Sequence, residues 1–97
     1  MNYINRISFN PWDYTLYQII DGGFVLKVIF SEGVYKVDIE RYFLFAADEI
    51  IKPLDTEYMK VLLESIRCDY ARFQSQEITK SQFQTGFAIV DKDNDSV

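Results

Sequence analysis

The chain has 97 residues, with 15 Asp and Glu against 10 Lys and Arg, a net charge of −5, and no histidine. Without imidazole there is no Ser-His or Cys-His nucleophile pair, no histidine metal ligand and no near-neutral histidine switch. Apolar residues make up 48% of the chain, with one Trp, seven Tyr and eight Phe. That is enough for one compact domain over residues 1–97, its core at about 3–90 and a flexible acidic tail at 91–97.

From the start, Tyr3–Phe9 predicts an edge strand ended by Asn10-Pro11, because proline removes a ladder donor and restricts its neighbour. Period-two alternation then predicts a meander of Tyr14–Ile20, Phe24–Phe30 and Val34–Ile39. Asp21-Gly22-Gly23 supplies the positive φ of a hairpin turn, and Ser31-Glu32-Gly33 supplies the closing glycine of a three-residue loop. Phe43, Ala46, Ala47 and Ile50 fall at helical spacing and predict a short buried helix over Glu40–Ile51, ended by Lys52-Pro53. Met59, Leu62, Leu63, Ile66, Tyr70 and Phe73 form the clearest apolar stripe, a helix over Thr56–Phe73 with Asp55 or Thr56 as N-cap. The polar stretch Gln74–Gln82 reads as a loop, and Phe83–Ile89 alternates as a last strand. The expected architecture is α+β: an antiparallel sheet of four or five strands with two helices packed on it.

The single cysteine, Cys68, excludes an intramolecular disulfide and fits a reducing, cytoplasmic compartment. It has no basic helper beyond Arg67 and Arg72, and reads as an inert thiol. The longest apolar run, Tyr42–Ala47, falls far short of a bilayer span, and no signal-peptide pattern opens the chain. Basic residues are scattered singly from Arg6 to Lys92, which opposes nucleic-acid binding. Asp91-x-Asp93-x-Asp95 starts like a calcium loop but has Ser96 where the glycine belongs and no twelfth-position Glu. No carboxylate pair is set up for glycoside hydrolysis: Asp48 and Glu49 diverge on the predicted helix, and Asp38 and Glu40 read as a strand-end cap. No catalytic residue, metal or cofactor is expected.

The acids are unevenly spread. Asp38, Glu40, Asp48, Glu49, Asp55 and Glu57 face only Arg41 and Lys52 within residues 38–57, a local net of −4. Such a cluster is either a solvated polar face or an electrostatic docking surface that speeds encounter with a basic partner. Trp12, following Pro11 in a predicted loop, is the candidate aromatic anchor, or else a lid over the sheet edge.

The runs Val28-Ile29-Phe30-Ser31-Glu32-Gly33, Val37-Asp38-Ile39 and Pro53-Leu54-Asp55, with Tyr58 and Met59 after them, resemble a small bacterial family of uncharacterised domains. Its members carry a strand ending in Phe-Ser-Asp-Gly, a Val-Asp-Leu strand end and a Pro-Leu turn before an aromatic. The resemblance covers roughly residues 14–60; downstream, the predicted long helix stands where the family has a Trp-Pro-Asn-Gly-like segment. The family implies a toxin-like protein partner, and the profile is similar to immunity proteins of bacterial toxin systems, which are small, acidic and without catalytic apparatus. The resulting expectation is a monomeric, non-enzymatic toxin inhibitor that covers a basic nuclease with Asp38, Glu40, Asp48, Glu49, Asp55, Glu57 and Trp12. The alternative is a structural or regulatory homodimer built on the Tyr3–Phe9 edge.

Overall fold

A computed structural model describes residues 2–10, 12–32 and 37–90. Strands β1 (Asn2–Asn10), β2 (Tyr14–Ile19), β3 (Phe24–Glu32) and β4 (Val37–Phe45) form an antiparallel meander, followed by helices α1 (Thr56–Cys68) and α2 (Tyr70–Phe73). A 3-10 turn at Gln74–Gln76 leads into β5 (Glu77–Ile78), helix α3 (Lys80–Gly86) and β6 (Phe87–Ile89). The fold is α+β, and among the described residues the sheet has six strands in the order β5-β4-β3-β2-β1-β6. It is mixed rather than wholly antiparallel, because β6 runs parallel to β1, pairing Asn2, Tyr3 and Ile4 with Phe87, Ala88 and Ile89.

The first turn works through two glycines. Gly22 and Gly23 have φ of 117° and 93°, so the positive-φ pair is Gly-Gly rather than Asp21-Gly22. At Gly23 a Cβ would stand 2.8 Å from the Phe45 carbonyl oxygen, so the β2–β3 turn lies directly against the end of β4. Ser31 and Glu32, expected in the second loop, instead continue β3 opposite Asp38 and Val37. The expected loop glycine Gly33 and strand start Val34 lie outside the described residues, as do Pro11 and the tail 91–97.

The expected helix over Glu40–Ile51 is a strand as far as Phe45, then a turn at residues 47–49. The helical spacing misled because β4 is covered on both faces, so its apolar run has no polar side. Phe43 and Phe45 belong to one core cluster and Tyr42 to the other. The first cluster joins Tyr14, Leu16, Leu26 and Val28 of the sheet to Met59, Leu63 and Ile66 of α1. The expected long helix ends at Cys68; Asp69 departs from helical geometry and Phe73 is carried on the separate α2.

The second cluster lies on the opposite face under α3. The polar stretch expected to be a loop contains a complete N-cap: the Thr79 hydroxyl accepts from the Gln82 N–H at 3.0 Å, and the Gln82 side chain accepts from the Thr79 N–H at 2.8 Å. Phe83 is therefore helical rather than the start of a strand. Its ring lies 4.5 Å from Tyr42, 5.4 Å from Tyr17 and 5.9 Å from Phe87. A helix of seven residues spans about 10 Å. Six flat strands spaced by about 4.8 Å would separate β5 from β6 by about 24 Å. The sheet closes that gap by curling around Phe83.

Both turn glycines need their conformation, and Gly23 also needs its missing side chain. Gly22→Ala and Gly23→Ala should each cost about 1–3 kcal/mol, with the Gly23 variant the less stable in urea denaturation. Equal midpoints would show that the turn shifts away from Phe45.

Candidate functional site

The six acids do not form one surface. Asp38 and Glu40 share the α3 face of β4, where Asp38 accepts a hydrogen bond from the Ser31 hydroxyl at 2.9 Å. Glu40 lies between Lys27 at 3.2 Å and Lys80 at 3.6 Å. They bond across to β3 and α3 from the first half of β4 and do not cap its end. Asp38 stands seven residues before the end of β4, about 23 Å along the strand, away from the connection that carries Asp48 and Glu49. Burial pushes the Glu40 carboxyl up, but the hydrogen bond and charge of Lys27, followed by Lys80, outweigh it and hold the carboxyl below its ordinary value.

The other four acids gather where β4 hands over to α1, and two of them are engaged in building that connection. Glu49 accepts from the Ala46 N–H at 2.7 Å and from the Gln76 amide at 3.2 Å. Asp55 is the N-cap of α1, accepting from the N–H groups of Glu57 at 3.0 Å and Tyr58 at 3.2 Å. Tyr58 ties the segment down by donating to the Glu49 carbonyl and accepting from the Ile51 N–H, both at 3.3 Å. Asp48 is exposed, and Glu57 forms no ion pair among the described residues.

Sequence reasoning missed the apolar residues beside these acids. Ile51 is 69% exposed, Leu54 72% and Val61 64%. Val61, Tyr58 and Glu49 also line a groove of about 350 Å³ with Phe45, Leu62 and Phe73. The available signal was the Ile51-Lys52-Pro53-Leu54 segment itself, in which proline holds two large aliphatics in a connection without a partner strand.

Trp12 is 84% exposed, so it is not a lid. It sits in the β1–β2 turn, which is closed by the Asp13 N–H donating to the Asn10 carbonyl at 2.9 Å. The same turn forms one side of a cleft of about 500 Å³. Ser8, Asn10, Asp13 and Tyr14 line one wall, and Thr56, Glu57, Lys60 and Leu63 of α1 line the other. Arg67 fixes the two walls together, donating to the carbonyls of Asp13 at 3.1 Å and Ile29 at 2.9 Å. Glu57 is thus the predicted acid that the fold brings to the Trp12 end of the sheet.

A separate polar cluster of Arg41, Tyr70 and Glu77 joins β4, α2 and β5. Arg41 donates to the Tyr70 hydroxyl at 3.0 Å and to Glu77 at 3.2 Å, and Tyr70 donates to the Glu77 carboxylate. That last bond raises the Tyr70 phenol above its ordinary range, with burial adding to it. The cluster packs under Phe30 and Phe43, where it fastens α2 to the sheet.

Cys68 is exposed at the end of α1. Among the described residues no group of three or more His, Cys, Asp and Glu is placed to hold a metal ion, and no helix is long and apolar enough to cross a membrane. The Asp91–Asp95 motif lies outside the described residues. Compared with known proteins, the chain matches no protein-family model, no curated protein and no solved structure.

Two expected outcomes follow from the work the acids do. Asp55→Ala should destabilise the domain by about 1 kcal/mol through the lost cap, whereas Asp48→Ala should leave the denaturation midpoint in place. Glu40 stabilises the fold above its unfolded carboxyl value, and this contribution fades as the pH falls through its lower folded value. Glu40→Gln should therefore flatten the acid side of the stability profile, read as melting temperature against pH. An unchanged acid limb would mean that the Lys27–Glu40–Lys80 contacts are fully screened.

Proposed function

We propose that this chain is a non-enzymatic protein-binding domain of the immunity or antitoxin type, which neutralises a basic bacterial toxin by covering its active face. The observation that carries the reading is the mixed surface at the start of α1, where exposed Ile51, Leu54 and Val61 stand among Asp48, Glu49, Asp55 and Glu57. Isolated apolar residues are ordinary on a protein surface, but two large ones in one short connection and a third on the helix that follows support a docking surface there. Surrounding carboxylates add long-range attraction for a cationic partner, raising the encounter rate more than the final affinity.

The acids divide by role in this mechanism. Asp48 and Glu57 are available to attract a partner, whereas Glu49 and Asp55 hold the docking segment in shape. Asp38 and Glu40 lie on the other face of the sheet, already answered by Ser31, Lys27 and Lys80. The aliphatic residues supply the desolvated contact that electrostatic attraction lacks. Inhibition of a nuclease by this surface is steric and electrostatic, with no bond made or broken.

The test is co-expression with the product of the neighbouring reading frame, followed by association kinetics on any complex that co-purifies. The expected complex contains a basic, otherwise toxic protein, and its association rate falls as salt shortens the screening length. Asp48→Lys with Glu57→Lys should slow association by about tenfold or more at low salt, with the far-ultraviolet spectrum unchanged. Leu54→Ser should instead speed dissociation. A complex whose association rate ignores both salt and the two reversals would overturn the acidic-surface mechanism.

A further inference from the structure

β6 is only three residues long, so it covers β1 no further than Ile4. Val90 donates its N–H to the Ile4 carbonyl at 2.7 Å, the last bond on that side among the described residues. Beyond it, Asn5–Asn10 has β2 on one side and no strand on the other among the described residues, a free edge of about 20 Å. The ladder alternates: Tyr3 accepts from Ile20 on the β2 side and Ile4 faces β6, so Arg6 turns its N–H and C=O outward. The buried Asn5 Oδ1 on this stretch also lacks a hydrogen-bond partner among the described residues.

The cleft between β1 and α1 runs beside this edge. A strand laid along Asn5–Asn10 would send alternate side chains into it, toward Glu57 and Lys60. Neither charge has an ion-pair partner among the described residues. They stand three residues apart on α1, about 5–6 Å, close to the spacing of alternate residues on a strand, about 6.6 Å. Strand addition would supply the missing backbone bonds, and the cleft would select side chains by charge.

We propose that the free edge of β1, with the cleft it shares with α1, binds an extended segment of a partner protein whose cleft-facing residues are one basic side chain against Glu57 and one acidic side chain against Lys60. The occupant is a foreign segment rather than a second copy of this chain. β1 carries Arg6 as its only charged residue, so the β1 edge of a second copy would bring no acidic side chain to Lys60. The proposal rests on the protein-binding reading above but not on the identity of the partner, so it can fail while the toxin complex stands, and the reverse.

The experiment uses the full chain and a displayed library of random linear peptides. Selected peptides should carry a basic residue and an acidic residue at alternate positions, and their binding should slow hydrogen exchange at the Arg6 amide. Glu57→Lys should turn the selection at the first position from basic to acidic. Arg6→Pro, which removes an N–H that the β1–β2 ladder does not use, should weaken a selected peptide on the order of tenfold. If that variant does not fold, the Glu57→Lys selection decides alone. Selection unchanged by Glu57→Lys overturns the proposal. So does a mass that rises with concentration for the peptide-free chain and falls back on Arg6→Pro, which would give the edge to a second copy. Binding seen only after truncation behind Val90 overturns it too, because the chain's own residues 91–97 would then be the occupant.

Discussion

Phe83 is touched by rings from three different strands, Tyr17 of β2, Tyr42 of β4 and Phe87 of β6, and this contact holds the sheet in its curl. Seven helical residues are too short to cross a flat sheet of six strands, so α3 reaches the far edge only because the strands bend around its single buried side chain. The parallel pairing of β6 with β1 follows from that crossing. β6 begins where α3 ends and runs from Phe87 to Ile89, so among the described residues β1 is paired on that side only as far as Ile4.

On the opposite face α1 has a different task. Met59, Leu63 and Ile66 close the larger cluster, while Asp55 at one end and Arg67 at the other set where the helix lies. Arg67 spends its guanidinium on two backbone carbonyls and on Asp13, which pins the turn carrying Trp12 to the helix. Much of the net negative charge is absorbed in the same way. Glu49, Asp55 and Glu40 satisfy local donors or lysines, so the formal charge of −5 overstates what a partner meets at any one place. Attraction at a distance depends on the total, whereas docking depends on the few acids without a structural duty.

The elements legible from the sequence were those marked by turn chemistry or by a stripe. β2 and β3 feed both clusters, yet Gly22 and Gly23 announce the turn between them, and α1 shows both its stripe and its Asp55 cap. β4 was hidden because Phe43 and Phe45 face one cluster while Tyr42 faces the other, which erases the alternation that marks a half-buried strand. α3 was hidden for the opposite reason: with Phe83 its one buried residue there is no stripe to find, although Thr79 and Gln82 spell out a capping box. β5 is too short for any period, and β6 was read as the end of a longer strand, Phe83–Ile89, whose first half is helical. Of the candidate site, the exposure of Trp12 and the cap at Asp55 were within reach of local reasoning. The separation of Asp38 and Glu40 from the other acids, and the company Glu57 keeps with the Trp12 turn, are tertiary facts that spacing along the chain does not contain.

The pairing of Asn2–Ile4 with Phe87–Ile89 also bears on the order in which the molecule is made. On the ribosome, β1 through β4 emerge as a meander of neighbouring strands and can pair as soon as each hairpin is free, because those contacts are local. The Ile4 side of β1, which faces β6, must then wait through the synthesis of all three helices before its companion exists. During that interval the newborn domain has no strand along that side of β1, and Phe87–Ile89 then cover it as far as Ile4.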